Sequence, residues 1–340
     1  MMRRPARRQR GAALLLALLI MTLVATLAAG MVWLQWRGIE VETAERARTQ
    51  AEWLLNASLD WGNLILKSSI RQGDTEDDLG QPWATPLAET KLSSFLSADG
   101  NHTSEGGPEA FLSGQITDVQ SKYNLYNLVL PSSDTIGKTT EIQRLQILLS
   151  AIGVSPDVAN TIAAGMRQSA SAQQQLKDSG QADTTNSVLM PIQVADLAWY
   201  GIDPTVVKQL EPFVQIVPFL DTKQMPINAN TAPAEVLMTA CPGLTRAQAE
   251  QVILQRRQKP FTDISKITAN VGMSAATGCG GSADNAGPKG IFSVTSQYFE
   301  IYGQLRYELH IIRERSVVYR KDQFTPVQVL RRERIPPDAT

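Results

Sequence analysis

The chain has 340 residues, of which 43% are hydrophobic and 19% charged, with 32 basic and 33 acidic side chains. This composition supports about two folded domains and excludes a chain that is disordered throughout, a collagen and a disulfide-dense miniprotein. Residues 1–11 carry five arginines and no acid, so the remainder has 27 basic against 33 acidic residues, a net charge of −6. A net-acidic body argues against nucleic acid as the principal partner.

An apolar segment of 25 uncharged residues, 12–36, follows the basic stretch. A helix of that length spans the hydrocarbon core of a bilayer, which is about 30 Å thick. The segment is longer than the roughly 7–15 apolar residues of a cleaved signal peptide. The arginines before it predict an N-terminus in the cytoplasm. On these facts alone, a plain single-pass anchor is the simplest interpretation.

The helical pattern continues beyond this segment. From Ile39 to about Leu66, small and apolar residues recur at helical spacing between charged residues, with glycine only at Gly38 and Gly62. The pattern predicts an amphipathic stem helix over 37–70, continuous with the membrane span. Its apolar face must pack on its own domain or on neighbouring copies. The residues of this face are Ala44, Ala47, Ala51, Leu54, Leu55, Leu59 and Ile65.

A short basic leader ends at Arg10-Gly11, and the apolar helix begins directly after it at Ala12. This arrangement resembles the prepilin peptidase site of the type IV pilin-like proteins. The resemblance implies cleavage after Gly11 and N-methylation of Ala12. Most of these proteins have glutamate as the fifth mature residue, where this chain has Leu16. Among pseudopilins, the missing glutamate is characteristic of the K-type minor component of type II secretion.

The absence of the glutamate has a physical meaning. A carboxylate inside lipid is costly and is retained only with a partner, which in pilins is the terminal amine of an adjacent subunit. A subunit with leucine at this position need not make that pair, as expected if no subunit lies beyond it. The resemblance therefore implies a subunit at the tip of a filament.

The sequence after the stem changes character several times. Residues 72–110 are polar and predict a loop with one short helix around Leu87–Leu96. Phe111–Leu130 alternates and predicts a hairpin of short strands, and strand-like runs recur after residue 290. Between them, 139–217 and 232–258 have a helical pattern. An inserted helical domain explains this order, because the flanking strands then share one sheet against the stem.

The predicted fold class is therefore α+β. A long transmembrane and stem helix packs on a small antiparallel, pilin-like sheet that receives a large all-helical insertion. The predicted divisions are a leader (1–11), a transmembrane helix (12–36), a stem (37–70), two pilin-like β parts (71–138 and 276–340) and the insertion (139–275).

The helical segment contains one pattern three times. Each copy has a turn glycine, an apolar residue and a Ser, Asp or Thr as the predicted N-cap, followed by small or apolar residues four and seven positions after the cap. The three turn glycines are Gly153, Gly201 and Gly243. The pattern is a helix-hairpin-helix, a shape that is also called SAM-like.

Similar hairpins in other proteins bind the DNA backbone, which makes DNA binding an alternative. A phosphate-binding hairpin has a second glycine after the apolar residue, so that bare amides can approach the phosphate. Ser155, Asp203 and Thr245 replace that glycine here, and an aspartate at a helix start repels an anion. Only the third hairpin has a basic cluster, formed by Arg246, Arg256, Arg257 and Lys259. We therefore expect protein packing or partner contact from these hairpins.

Two asparagine-rich segments are similar to segments that recur in K-type pseudopilins. The first contains Asn124 and Asn127, whose simplest role is to satisfy backbone groups at a strand-to-helix junction. The second opens the last hairpin and predicts Asn230 or Thr231 as the N-cap, with Pro233 in the first turn.

The two cysteines, Cys241 and Cys279, both lie in the predicted extracytoplasmic part. An even count in an oxidising compartment predicts a disulfide between them, the alternative being two separate thiols. The resemblance also implies calcium, which pseudopilins often bind, and Asp118, Asp284 and Asn285 offer hard oxygen ligands. The alternative is that these three residues merely cap turns.

The sequence has no Gly-x-Ser-x-Gly elbow, P-loop or HExxH, and we predict a non-enzymatic protein. The resemblance implies a minor pseudopilin of a Gram-negative bacterium, anchored in the inner membrane with a periplasmic C-terminal domain. There it initiates or caps the pseudopilus that exports folded proteins across the outer membrane. The implied partners are the I- and J-type minor pseudopilins, other pseudopilins, the inner-membrane assembly platform and the prepilin peptidase.

Two alternatives remain open from the sequence. One is a type IV pilus-related or competence-type minor pilin whose hairpins bind DNA. The other is an unprocessed, membrane-tethered periplasmic adaptor.

Overall fold

The computed structural model describes residues 12–71, 76–91, 110–129, 140–179, 189–218, 220, 224–241, 243–270, 292–307, 310–322 and 324–336. Four residues named in the predictions lie outside these ranges: Gly11, Cys279, Asp284 and Asn285.

A single unbroken helix, α1 (Ala12–Arg71), contains both the predicted membrane span and the stem. At about 1.5 Å per residue it is about 90 Å long. Residues 12–46 are all exposed, and contact with the rest of the described chain begins at Ala47. Among the described residues, α1 is the helix that is long and apolar enough to cross a membrane. The predicted long apolar helix is thus confirmed.

An antiparallel sheet packs on the C-terminal half of α1. The strands are, in chain order, β1 (Leu87–Lys91), β2 (Ala110–Asp118), β3 (Tyr123–Asn124), β4 (Val214–Gln215), β5 (Ile227–Asn228), β6 (Phe292–Ser293), β7 (Tyr298–Tyr307), β8 (His310–Tyr319) and β9 (Gln328–Ile335). In the described part of the chain the main sheet has the order β1-β2-β7-β8-β9. β2 pairs with β7 from Ala110 opposite Tyr307 to Asp118 opposite Phe299. The pairing joins chain segments on the two sides of the helical region, as an insertion between β2 and β7 requires.

The stem packs closely on this sheet. Leu55 and Leu59 of α1 are buried against it. Two glycines permit the close approach, because a Cβ at Gly62 would lie 3.2 Å from Ile301 Cγ2 and one at Gly303 would lie 3.1 Å from Leu55 Cδ1. The predicted apolar face of the stem therefore packs on its own domain from Ala47 onward, while Ala44 stays exposed.

The helical region lies between β2 and β7. Its α-helices are α2 (Glu141–Ala151), α3 (Val158–Ser179), α4 (Pro204–Leu210), α5 (Ala234–Ala240), α6 (Arg246–Gln258) and α7 (Ile264–Asn270). Its 3-10 helices are Val119–Ser121, Leu125–Val129 and Val194–Tyr200, and a further 3-10 helix, Pro82–Ala84, lies before β1. The helices share one core, which also includes Tyr123, Leu125 and Leu128 from before α2 and Phe292 from after α7. This core extends past the expected boundaries at 139 and 275 on both sides. The SAM-like assignment stays a prediction.

Two predicted elements are wrong. Leu87–Lys91, where a short helix was expected, is strand β1 and pairs with β2. The predicted hairpin at Phe111–Leu130 is not formed by its described residues, 111–129. There β2 ends at Asp118 and is followed by two 3-10 turns and by β3, which pairs in parallel with β4. In both segments the strand partner is a distant part of the chain, and strand formation depends on that partner more than on local propensity.

Candidate functional site: a membrane helix, three turns and a buried joint

The N-terminal part of α1 presents apolar side chains on every face. Leu16 is 61% exposed, and its large neighbours are exposed to a similar extent. A helix that is apolar all round and packs on nothing in its own chain is covered by lipid or by other helices. Leu16 is thus available for contacts outside the chain, and its side chain has no group that pairs with an amine.

All three predicted turn glycines have left-handed backbone. The angle φ is +79° at Gly153, +77° at Gly201 and +93° at Gly243, a region that residues with a Cβ disfavour. The residues four and seven positions after each predicted cap are all buried, namely Ala159, Ile162, Val207, Leu210, Ala249 and Val252. The repeated sequence pattern therefore corresponds to three turns with equivalent packing.

The caps of the three hairpins differ. The Thr245 hydroxyl accepts a hydrogen bond from Gln248 N, and the backbone N–H of Thr245 donates to the side-chain oxygen of Gln248, which together form a capping box. Asp203 accepts from Thr205 N. In the first hairpin, α3 begins three residues after Ser155. Two of the three predicted caps thus act through their side chains, and Ser155 precedes the helix by a full turn.

Two of the four basic residues of the third hairpin, Arg246 and Arg256, are engaged within the chain. Arg246 Nη2 lies 2.9 Å from Glu235 Oε1, and Arg246 Nε lies 3.3 Å from Glu250 Oε1. Arg256 Nη1 donates to two backbone carbonyls at 2.7 and 2.6 Å, and burial lowers the pKa of its guanidinium to about 10. Arginines that already have acceptors are poor phosphate ligands. The geometry adds to the argument against DNA binding.

Three buried asparagines act as clamps on distant backbone. In each, the side-chain amide donates to the carbonyl and accepts from the N–H of one and the same residue. Asn124 pairs in this way with Val217, Asn127 with Met225 and Asn230 with Phe261. The interpretation of Asn124 and Asn127 as satisfying backbone groups agrees with this geometry, although the groups belong to distant segments.

The predicted N-cap of the last hairpin is wrong. The N-cap of α5 is Pro233, with no side-chain hydrogen bond. Asn230 is occupied by Phe261, and Thr231 donates to Asp118 at 2.5 Å. Both side chains are directed into the core, where they satisfy groups that lie far away in sequence.

The stem, the sheet and the helical region meet at a buried polar cluster, called the joint here. Its members are Asp77, Asp118, Asn228, Thr231, Ser296 and Arg320, each at most 6% exposed. They come from five separate segments of the chain, so that no local pattern marks the cluster. Sequence analysis identified Asp118 only as a calcium ligand or turn cap and missed Asp77, Ser296 and Arg320.

Asp118 is the central acceptor of the joint. Its Oδ1 accepts from Gln120 N at 2.7 Å, and its Oδ2 accepts from Ser296 Oγ at 2.6 Å, Thr231 Oγ1 at 2.5 Å and Asn228 Nδ2 at 3.1 Å. Burial raises the pKa of the Asp118 carboxyl to about 6, against the lowering effect of these hydrogen bonds. Asn228 and Thr231 belong to the helical region, so this one carboxyl group links that region to the sheet.

Arg320 connects the joint to the stem. Its Nη2 lies 2.6 and 2.7 Å from the two carboxylate oxygens of Asp77. Its Nη1 donates to Leu66 O at 3.0 Å and to Ser69 Oγ at 2.8 Å, both in α1. The guanidinium also lies 4.5 Å from the centre of the Phe299 ring. One buried side chain thus holds the end of the stem, the loop before β1 and the sheet in a fixed arrangement.

The geometry does not fit calcium ligation by Asp118. Its oxygens accept four hydrogen bonds, which a cation would have to displace. Asp118 instead caps the 3-10 helix Val119–Ser121, the alternative role given for it above. Over the ranges that the structure describes, no group of three or more His, Cys, Asp or Glu could hold a metal ion. The proposed partners Asp284 and Asn285 lie outside those ranges.

Cys241 is buried at the end of α5 and is disulfide-bonded. Arg144, which is also buried, donates to the carbonyls of Thr239 at 3.1 Å and Ala240 at 2.7 Å and so caps the end of α5 beside the cysteine. Cys279 lies outside the described residues, so the predicted pairing stays a prediction.

Two family models match the chain. Both are described as type II secretion system (T2SS), protein K, and they match residues 121–219 and 227–286. The matched segments cover most of the helical region, two of the three asparagine clamps in full and the joint residues Asn228 and Thr231.

The chain is also similar to individual proteins over most of its length. It is 26% identical over 341 residues to the type II secretion system protein K of Pectobacterium carotovorum subsp. carotovorum, with 96% of each chain covered. It is 23% identical over 314 residues to the protein of the same name from Pseudomonas aeruginosa, covering 88% of this chain and 85% of that one.

A solved structure has the same fold. The chain is similar to one chain in the crystal structure of the GspK-GspI-GspJ complex from the enterotoxigenic Escherichia coli type 2 secretion system. The TM-score is 0.61 at 19% sequence identity, and the similarity covers 86% of this chain and 98% of that one.

Proposed function

Because the chain belongs to the protein K family of type II secretion systems, we propose that it is the minor pseudopilin at the tip of the pseudopilus. In this role it initiates and caps assembly together with I- and J-type minor pseudopilins, and the fibre exports folded proteins across the outer membrane. The work is mechanical, since the family is structural rather than catalytic. The observation that carries the proposal is the match to protein K relatives over almost the whole chain, with Leu16 in the membrane helix.

The proposal includes a defined placement. A prepilin peptidase removes residues 1–11, Ala12 becomes the methylated N-terminus, and α1 crosses the inner membrane with its start in the cytoplasm. The five arginines before the span and the exposure of residues 12–46 support this placement. The sheet and the helical region then lie in the periplasm, where an oxidising environment suits the disulfide of Cys241.

The position at the tip follows from two features. Leu16 offers no carboxylate for the terminal amine of a subunit above, and the helical region adds bulk at one end of the sheet. The joint holds that bulk in place on the sheet, so that it acts as a cap. The inner-membrane assembly platform and the other pseudopilins are the remaining partners of this role.

The test is co-expression of the full chain with a prepilin peptidase and with I- and J-type minor pseudopilins. N-terminal sequencing is expected to give Ala12, and both minor pseudopilins are expected to co-purify with the chain. A mature form that still begins at Met1 would instead support the unprocessed adaptor. Absence of both partners from the purified material would contradict a role in the tip complex.

A further inference from the structure

Arg257 and Lys259 are the two basic residues of the third hairpin that the fold does not use. Within the described ranges neither side chain has an ion pair or a hydrogen bond, in contrast to Arg246 and Arg256. Both are exposed. Leu254, one helical turn before Arg257 in α6, is 58% exposed. The packing of the chain alone therefore does not account for these three side chains.

An open groove lies beside them, between α5 and α6. Its volume is about 550 Å³, and its lining comes from both helices and from the residues just before α5. Binding sites usually measure roughly 300–1,000 Å³ and are mainly apolar. Apolar surface is provided here by Pro233, Ala234, Ile253 and Leu254. The groove is thus large enough and apolar enough to hold part of another molecule.

Two arginines hold the groove in shape. At one end, Arg246 Nη2 lies 2.9 Å from Glu235 Oε1 and ties α6 to α5. At the other end, Arg256 Nη1 donates to the carbonyls of Ala229 and Ala232 and ties α6 to the residues before α5. The two arginines are about 15 Å apart along the helix axis. Because the groove is already formed, a ligand needs no rearrangement of the chain to enter it.

The charge of the groove changes sign along its length. Near Arg246, two carboxylates, of Glu235 and Glu250, share a single guanidinium. At the other end Arg256 and Arg257 lie side by side, and within the described ranges neither has an ion pair with a carboxylate. Burial, and after it repulsion by Arg257, lowers the pKa of the Arg256 guanidinium to about 10. An added negative charge is therefore favourable at this end.

We propose that the groove binds an extended peptide segment of another protein, with an apolar side chain against Ile253 and Leu254 and a carboxylate at Arg257. An extended segment rises about 3.3 Å per residue, so four or five residues span about 15 Å. Leu254 and Arg257 are about 4.5 Å apart along the axis of α6, which puts the apolar and the acidic residue one or two positions apart. The helical region, which only adds bulk in the proposed function, thereby becomes a peptide-binding unit.

A protein segment fits the groove better than nucleic acid does. Glu235 and Glu250 line the groove and would repel a continuous row of phosphates. The apolar wall at Ile253 and Leu254 stabilises a leucine-sized or phenylalanine-sized side chain by removing it from water. Opposite charges at the two ends of the groove also fix the direction of a bound peptide.

The first experiment selects a display library of random short peptides on the full chain in detergent. We expect the enriched peptides to share an apolar residue with Asp or Glu one or two positions away. On Arg257→Glu we expect the acidic residue to disappear from this consensus, whereas Lys177→Glu, an exposed substitution in α3, leaves it unchanged. Absence of a consensus, or a consensus that Arg257→Glu does not alter, would overturn the inference.

The second experiment measures the affinity of a selected peptide by fluorescence anisotropy. Leu254→Glu is expected to weaken binding at least about tenfold and Arg257→Glu about fivefold. The matched control is Leu176→Glu, at a side chain that is 44% exposed in α3, and it is expected to leave the affinity unchanged. Equal affinities of Leu254→Glu and Leu176→Glu would refute the groove as the site.

Duplex DNA is the competing ligand in the same assay. Saturable binding of DNA that Arg257→Glu abolishes would assign the basic end of the groove to nucleic acid and overturn the proposal. We expect no such binding. Neither experiment depends on processing or on assembly of a fibre, so failure of the groove leaves the proposed function intact.

Discussion

Arg320 and Asp77, separated by 243 positions in the sequence, form a buried ion pair in which Arg320 Nη2 lies 2.6 Å from Asp77 Oδ1. The same guanidinium donates to Leu66 O in the stem. The pair therefore determines how the long helix is attached to the sheet and to the loop before β1.

Replacing Arg320→Met is expected to lower the free energy of unfolding by about 3–5 kcal/mol, because Asp77 stays buried without its cation. The matched control is Arg306→Met, which breaks a 2.7 Å ion pair with Glu89 on the surface and a contact with the Phe111 ring. That loss is expected to cost no more than about 2 kcal/mol. Urea denaturation of the full chain in detergent compares the two variants, and equal shifts would show that burial of the pair has no special effect.

Asp118 makes the stability of the joint depend on pH. Its pKa in the folded chain is about 6, above the ordinary value of 3.8, so the folded state retains a proton that the unfolded state has lost. The resulting stabilisation is complete below about pH 4 and disappears as the pH rises through 6, a change on the order of 3 kcal/mol. We expect the urea midpoint of the wild type, relative to Asp118→Asn, to fall as the pH rises from about 4 to about 6 and to change little above that. Parallel pH curves for the two proteins would mean that the carboxyl group is ionised throughout.

The asparagine clamps are expected to be sensitive to truncation. Asn230→Ala leaves both the N–H and the carbonyl of the buried Phe261 without the partner that the side chain supplies. Two such groups cost about 2–4 kcal/mol together. Asn160→Ala, at an exposed position in α3, is the control and is expected to change stability by less than about 0.5 kcal/mol. Thermal unfolding of both variants measures the difference, and similar melting temperatures would contradict the clamp.

Substitutions at two glycines distinguish the effect of backbone conformation from the effect of packing. At both Gly201 and Gly38, an added Cβ has no atom within 4 Å. Gly201 has φ of +77°, so Gly201→Ala is expected to destabilise by about 1–2 kcal/mol from backbone strain alone. Gly38 lies within α1, so Gly38→Ala is expected to stabilise that helix by up to about 1 kcal/mol. Chemical denaturation gives both values, and effects of the same sign would refute the assignment of the turn.

Leu16→Glu tests whether the missing carboxylate restricts the chain to the tip position proposed above. With glutamate at this position, the chain regains the partner for the terminal amine of another subunit, and we expect it to be incorporated along the fibre. Leu18→Glu puts the same charge two residues away at a similarly exposed position and is expected to leave the chain at the tip or to reduce its insertion. Gold labelling of purified fibres locates each variant. Labels only at fibre ends for Leu16→Glu would show that another feature fixes the position.

The features that sequence analysis predicted correctly each depend on residues that lie close together in the sequence. The unbroken α1, the turns at Gly153, Gly201 and Gly243 and the caps at Thr245 and Asp203 all depend on neighbouring positions. The joint and the asparagine clamps depend on pairs such as Asp77 with Arg320, which only the folded chain brings together. Strand β1 was missed for the same reason, because its five residues are a strand only beside β2.

The exposed tryptophans of the stem did have a local signal. Trp53 and Trp61 are eight residues apart in a segment with a helical pattern, which puts them on the same side of the helix. Sequence analysis predicted one apolar face of the stem, from Ala44 to Ile65, and did not include Trp53 or Trp61 in it. The structure packs that face on the sheet from Ala47 onward and leaves Trp53 72% exposed on another face.

Because α1 is long and unbroken, a small rotation near its N-terminal end moves its C-terminal end over a large distance. Leu66, which contacts the joint, lies 42 residues beyond Val24 near the middle of the membrane span, a distance of about 63 Å along the axis. If the rod pivots by about 10° within the bilayer, its far end sweeps sideways by about 11 Å, which is the diameter of one helix. A slight reorientation of the apolar end of α1 would therefore displace the sheet and the helical region sideways by about one helix diameter.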